Sequence, residues 1–232
     1  MEKVYGWTMI LKNYVWIGKV FTDQEVERIH EIAHTIPAET GFTGGLDAND
    51  PDALPRETQG QDTSIRQSTI KWIQDHKLDQ SINKKIHDAV GQGSQESGWN
   101  FGIEYIEQYQ YTIYEHKPNI KQNDHYTWHT DHGGEILPDG MHRKLSMTIQ
   151  LSGPDEYEGG HFQWIEQQDQ FNQIRKDSKV VEISNLVRTL PFSAKEKGTM
   201  ILFPSFVHHQ VTPVIKGIRK SLVGWCNGYP YV

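Results

Sequence analysis

The chain has 232 residues, seven Trp, ten Tyr, a hydrophobic share of 36% and a formal net charge of -7. That composition is globular and excludes a disordered polymer, and the length suffices for a sizeable core. Excess negative charge argues against nucleic acid or an anionic membrane surface as the main partner. A lone cysteine, Cys226, has no internal disulfide partner, which fits a reducing compartment. Residues 1–12 carry acidic Glu2 and no apolar run of signal-peptide length, and no stretch approaches a membrane span. A cytoplasmic protein of one domain, residues 1–232, is expected, with oligomeric state open.

Residues 14–20, aromatic and β-branched, predict a short strand. A helix start follows: Thr22 can cap, Glu25 can return the bond as a capping box, and Phe21 can staple against Val26. Val26, Ile29 and Ala33 give this helix an apolar face. Residues 40–63 turn to Gly, Asp, Pro and Thr and predict a long loop, either a lid near a site or disordered. Residues 65–73 predict a strand with Arg66 and Ser68 on one face. Leu78, Ile82, Ile86 and Val90 then repeat every four residues, predicting a second helix that stops at Gly91 and Gly93.

Residues 101–114 alternate as one long strand, with Tyr109 and Tyr111 expected in the core. Residues 117–124 form a polar loop. Residues 144–151 alternate as well: Leu145, Met147, Ile149 and Leu151 face one way, and Ser146, Thr148 and Gln150 the other. Such a polar row either faces solvent or lines a cavity inside a barrel. Residues 161–166 predict the next strand and 167–177 a polar surface connection. Further strands are expected at 179–183, 199–203, 207–211 and 221–226. Helices early and short strands later make an α+β, mainly β fold with a sandwich or barrel core over residues 101–232. Residues 1–100 support it.

The stretch Tyr126-Thr127-Trp128-His129-Thr130-Asp131 carries the chemistry. A His and a carboxylate at i and i+2 share one side of a strand and can grip one ion together. His208-His209 follows about eighty residues later, and alternation sends only one of the two inward. Two histidines and one carboxylate on one face of an ion suit non-haem Fe(II) and leave positions open. Arg219, ten residues past His209 and beyond a turn, returns on a neighbouring strand, and its fork suits a carboxylate. That interval and the Val-Thr-Pro-Val tail favour His209 over His208.

Four motifs in order, Tyr126-x-x-His129-x-Asp131, Glu158-Gly159-Gly160-His161-Phe162, Gly198-Thr199-Met200-Ile201-Leu202-Phe203-Pro204 and His209-x-x-x-Pro213-Val214-x-x-Gly217-x-Arg219, closely resemble the prolyl 4-hydroxylase-like 2-oxoglutarate/Fe(II) dioxygenases. The resemblance implies a double-stranded β-helix (jelly-roll) core with supporting N-terminal helices. It implies that His129, Asp131 and His209 hold Fe(II) and that Arg219 anchors 2-oxoglutarate. Tyr114, Thr148 and Gln150 match positions that line the cosubstrate pocket, although residues 117–124 lengthen the usual interval after Tyr114. Trp225 matches an aromatic near substrate or cosubstrate, and Tyr126 and Arg66 are further substrate-side candidates; Arg66 could equally make a structural ion pair. Many collagen-type members have Lys where Arg219 stands, which shifts the resemblance toward the oxygen-sensing, bacterial and phage branches. The implied reaction hydroxylates a C–H bond, foremost in a peptidyl proline, and turns 2-oxoglutarate and O2 into succinate and CO2, with ascorbate as a possible reductant. A free amino acid or other small molecule is the alternative substrate, and a metal-binding jelly-roll module without turnover is the alternative outside enzymes.

Overall fold

The structure is a computed structural model that describes residues 8–11, 14–41, 62–118, 123–132, 139–166 and 185–230. Most of the expected loop at 40–63, the connection at 167–177 and the strand at 179–183 lie outside the described residues. The strands are β1 Thr8–Leu11, β2 Val15–Lys19, β3 Glu39–Thr40, β4 Arg66–Gln67, β5 Thr69–Ile73, β6 Tyr105–Ile106, β7 Tyr109–Glu115 and β8 His125–His129. They continue as β9 His142–Gln150, β10 Tyr157–Gly159, β11 Phe162–Ile165, β12 Val187–Thr189, β13 Thr199–Pro204, β14 His209–Val211 and β15 Val214–Gly228. Two α-helices, α1 Asp23–His34 and α2 Gln80–Glu96, and two 3-10 turns at Asp75–Lys77 and Phe192–Lys195 complete the described elements.

Pairing is antiparallel throughout these strands. One sheet runs β1-β2-β13-β9-β15-β7-β5-β3, with β6 and β10 also on β15, and a smaller one runs β12-β11-β14-β8-β4. Together they form the jelly-roll core of a mainly β fold. The larger sheet is covered on both faces, and its sequence shows why. Trp16 joins the core with Val26, Ile29, Ile86 and Val90 of the helices, while neighbouring Val15 and Ile17 join Phe162 and Trp164 of the smaller sheet. Met200 and Leu202 likewise face the helices, while Ile201 and Phe203 face the second sheet. Continuous apolar runs are what strands buried on both faces require.

The start of α1 follows the sequence. Thr22 Oγ1 accepts from Glu25 N, and Glu25 Oε2 accepts from Thr22 N at 2.9 Å, closing the capping box. Phe21 and Val26 are buried in one cluster. The second helix departs from expectation, because it runs through Gly91 and Gly93 to Glu96. Gly93 is there for packing: a β-carbon would stand 2.7 Å from Leu202 Cδ2 and 2.9 Å from the Trp16 ring. The chain leaves the helix at Gly98, with φ +71°, the left-handed residue that commonly follows a helix end.

Two expected strands are broken. Residues 65–73 change sheets at Ser68, so β4 pairs with β8 while β5 pairs with β7. Residues 101–114 are extended only as β6 and β7, with a gap at Glu107 and Gln108, and the Glu107 carboxylate accepts from Arg143 and Asn227. The last strand is longer than 221–226, spanning Val214–Gly228. Tyr109 and Tyr111 face the helices as expected; their hydroxyls meet Asn83 and His30. No helix among the described residues is long and apolar enough to cross a membrane.

Candidate metal centre and cosubstrate pocket

His129 ends β8, Asp131 lies two residues beyond, and His209 opens β14. The two strands are neighbours and His209 pairs directly with His129, which is how side chains far apart in sequence meet. Backbone N–H groups of Asp131 and His132 donate to Ser205 O at 2.9 and 3.0 Å, tethering the carboxylate to the β13–β14 turn. One potential ligand atom from each of His129, Asp131 and His209 lies within 4.8 Å of the others. Nε2 of His129 is 3.6 Å from Asp131 Oδ1, and Nε2 of His209 is 3.5 Å from Oδ2.

Hydrogen bonding selects the tautomers. His129 Nδ1 lies 2.7 Å from Thr127 O, and His209 Nδ1 lies 2.9 Å from Val207 O. A carbonyl only accepts, so each Nδ1 carries the proton and each Nε2 keeps its lone pair toward the cluster. Burial, reinforced by His209, pushes the His129 pKa down to about 3. Burial opposes ionisation of Asp131, but His209 and His129 outweigh it and hold its pKa below the usual carboxylate range. A neutral imidazole beside an ionised carboxylate is the state in which a cation can bind. The donor set fits Fe(II).

The triad opens on a cavity of about 320 Å³ between the two sheets, lined by residues of both. Its far side holds Arg219, 1% exposed. The guanidinium donates to Ser221 Oγ at 3.3 Å and to Gln150 Oε1 at 3.2 Å, and its Nε has no partner among the described residues. No carboxylate of the described residues lies within ion-pair distance of it. A buried cation without a counter-ion is costly, so the site suits an anion such as the distal carboxylate of an oxo acid.

The remaining sequence candidates fall around this cavity. Tyr114, paired with Arg219 across β7 and β15, lines it with its ring 5.6 Å from Arg219 Cζ. Thr148 lines it too, so the polar row of β9 faces the interior. Gln150 stands behind the lining and meets Arg219. Tyr126, Arg66 and Trp225 line it as well, with Tyr126 packed against the cluster that holds Tyr114; Arg66 donates to Ser68 Oγ at 3.0 Å and to Gln110 Oε1 at 2.6 Å. His208 is half-buried and outside the cluster.

The family model of the 2OG-Fe(II) oxygenase superfamily matches residues 109–227, just over half of the chain. The chain belongs to this superfamily. Its curated relatives include PKHD-type hydroxylases of Burkholderia ambifaria, 32% identical over 99 residues, and of Shewanella baltica, 34% identical over 99 residues. Each match covers 42% of this chain and 35% of the relative, so the chain spans about a third of those proteins. Among solved structures, the fold is similar to a viral collagen prolyl hydroxylase from Paramecium Bursaria Chlorella virus-1 (TM-score 0.57, 15% identity, 93% of this chain and 96% of that one). It is also similar to a Pseudomonas putida prolyl-4-hydroxylase (TM-score 0.52, 15% identity, 91% and 90%). The His129–Asp131–His209 donor set and the buried Arg219 fit the Fe(II) and the 2-oxoglutarate in that superfamily's name.

Several residues of this oxygenase's cavity escaped the sequence reading. Arg143 lines it, lies with Cζ 4.1 Å from the Trp225 ring centroid and donates twice to Glu107 at 2.7 Å. By parity Arg143 belongs with Leu145 and Met147 on the core side. A bulge intervenes: Cys226 pairs with Leu145 but Asn227 with Arg143, so Lys144 is the extra residue and Arg143 turns inward. Trp72 was within reach, because Ile70 and Trp72 alternate on the cavity face of β5. It meets Trp225 with ring centroids 6.2 Å apart.

Proposed function

We propose that this chain is a prolyl 4-hydroxylase-type dioxygenase acting on a peptidyl proline. One observation carries the dioxygenase reading: the His129–Asp131–His209 cluster and the buried, carboxylate-free Arg219 share one cavity. In this reading the three cluster residues ligate Fe(II) through the two Nε2 atoms and a carboxylate oxygen. Arg219 receives the distal carboxylate of 2-oxoglutarate, Gln150 and Ser221 fix its fork, and Tyr114 and Thr148 border the cosubstrate. Bound there, iron and 2-oxoglutarate would supply, with O2, the oxidation that converts a C–H bond to an alcohol and leaves succinate and CO2. Ascorbate belongs to the same proposal as a reductant.

The proline reading draws support from the aromatic end of the cavity, where Trp72 and Trp225 offer flat apolar surface to a pyrrolidine ring. The structures of similar fold described above are prolyl hydroxylases, which favours the same substrate. Arg143 favours a second reading, hydroxylation of a free amino acid or other small carboxylate, because a guanidinium stands on that same wall. A metal-binding module without turnover has no use for Arg219, since a passive metal site needs no carboxylate anchor at that depth. Iron-loaded protein incubated with 2-oxoglutarate should release succinate, and His129→Ala and Asp131→Ala should not; unchanged turnover in both variants sinks the proposal. Mass spectrometry of proline peptides and free amino acids then separates the substrates by which gains one oxygen atom.

A further inference from the structure

Tyr126 and His129 are three residues apart, and strand alternation alone would send them to opposite faces. The register of β8 and β14 is not simple, however. His209 pairs with His129 and Val211 with Tyr126, so two steps on β14 answer three on β8. This is a bulge with its extra residue on β8, and it returns Tyr126 to the face of His129. The two rings stack with centroids 3.4 Å apart and planes 12° apart.

Behind Tyr126 stands a cation. Arg66 is its direct cross-strand partner on β4, with Cζ over the ring at 4.7 Å from the centroid. The imidazole fills one face of the phenol ring, so the guanidinium takes the other, a favourable cation–π geometry. Arg66 is itself held by Ser68 and Gln110, and Gly41 backs it so closely that a β-carbon would lie 2.9 Å from its Nε. A layered stack therefore runs Arg66, Tyr126, His129.

We infer that Tyr126, clamped by Arg66, is a positioning residue that fixes the plane of the His129 imidazole. The inference rests on the reading of His129 as a metal ligand, and it moves Tyr126 and Arg66 from the substrate to the metal. The bond from Nδ1 to Thr127 O holds one edge of the His129 ring, and the side-chain torsions still allow the small rotations that keep this bond. A flat ring at stacking distance removes these rotations, so Nε2 stays aimed at Asp131 and His209. What Tyr126 contributes is its ring and not its hydroxyl.

The test uses the metal-free full chain, titrated calorimetrically with Co(II) alone and followed by the visible absorption of the bound ion. Tyr126→Phe keeps the ring and should bind Co(II) within about twofold of wild type. Tyr126→Leu should lose roughly 10- to 100-fold in affinity, the range for groups that orient metal ligands. Arg66→Met should weaken binding in the same direction, with a changed absorption band. Wild-type affinity in Tyr126→Leu overturns the inference, as does a Tyr126→Phe variant that loses substrate affinity at unchanged metal affinity. If melting shows that Tyr126→Leu does not fold, Arg66→Met carries the test, and wild-type affinity there overturns it. A wild-type chain that takes up no metal fails the metal-centre reading first, a result distinct from all of these.

Discussion

Gly160 packs directly against Arg219: a β-carbon on it would stand 2.9 Å from Arg219 Cδ. Gly160 also has φ +53°, in the left-handed region that costs other residues roughly 1–2 kcal/mol. Gly160→Ala should therefore push the guanidinium off its place without touching the His129 cluster. The expected outcome is a rise in KM for 2-oxoglutarate on the order of tenfold, equivalent to about 1.4 kcal/mol. Metal affinity, measured by titration, should stay at the wild-type value.

Arg219 itself gives a prediction with opposite signs in two measurements. In Arg219→Met the cavity loses its anion site, so 2-oxoglutarate turnover should disappear. The folded protein simultaneously sheds a buried charge that has no carboxylate partner among the described residues, and replacing such a charge by an apolar group of similar length is often neutral or stabilising. Thermal melting of the ligand-free variant should show Tm no lower than wild type. Added 2-oxoglutarate with metal should stabilise wild type by about 2.7 kcal/mol at a hundredfold excess over Kd, and so raise its Tm, but not that of the variant.

Acid should loosen the contact between α1 and the larger sheet. His30 Nδ1 lies 2.8 Å from Tyr111 Oη and Nε2 lies 3.2 Å from Leu151 O. Leu151 O can only accept, so the neutral ring donates from Nε2 and accepts the Tyr111 proton at Nδ1. Burial, with Lys220 adding to it, lowers the His30 pKa below its ordinary value. The folded state then binds fewer protons than the unfolded state, so this contribution is full above about pH 6.5 and shrinks as pH falls through that value. His30→Gln, which keeps a donor and an acceptor, should lose less Tm than wild type between pH 7.5 and pH 5.5. Equal losses would contradict the linkage.

The parts of the site readable from sequence are those that obey strand alternation. His129 and Asp131 sit two apart, His209 sits where its strand must turn one of two histidines inward, and the structure brings these three within 4.8 Å. Thr148 and Gln150 follow the same rule on β9. Tyr126 and Arg143 do not, because one extra residue in β8 and one in β9 invert the side on which each falls. A bulge is set by the partner strand, about which the local sequence says nothing. The crossing of residues 65–73 between sheets is hidden for the same reason: nothing between Ile65 and Ile73 announces that Ser68 changes partners. Edge strands such as β10 and β12, three residues each, are too short for a periodic signal.

The end of α2 shows how two glycines of similar appearance differ in structure. A glycine inside a helix costs roughly 0.5–1 kcal/mol relative to alanine. At Gly91 nothing lies within 4 Å of the missing β-carbon, so Gly91→Ala should gain about that amount. Gly93 faces the sheet, where the same substitution meets Leu202 at 2.7 Å and Trp16 at 2.9 Å, with Trp16 and Leu202 fully buried. Overpacking of this kind typically costs about 1–3 kcal/mol, more than the helix propensity returns. Melting of the two variants should thus move in opposite directions, Gly91→Ala upward by a few degrees and Gly93→Ala downward, since about 1 kcal/mol shifts Tm by roughly 2–4 °C at this size. A stabilised Gly93→Ala would mean that Trp16 and Leu202 can yield, and that Gly93 is not a packing glycine.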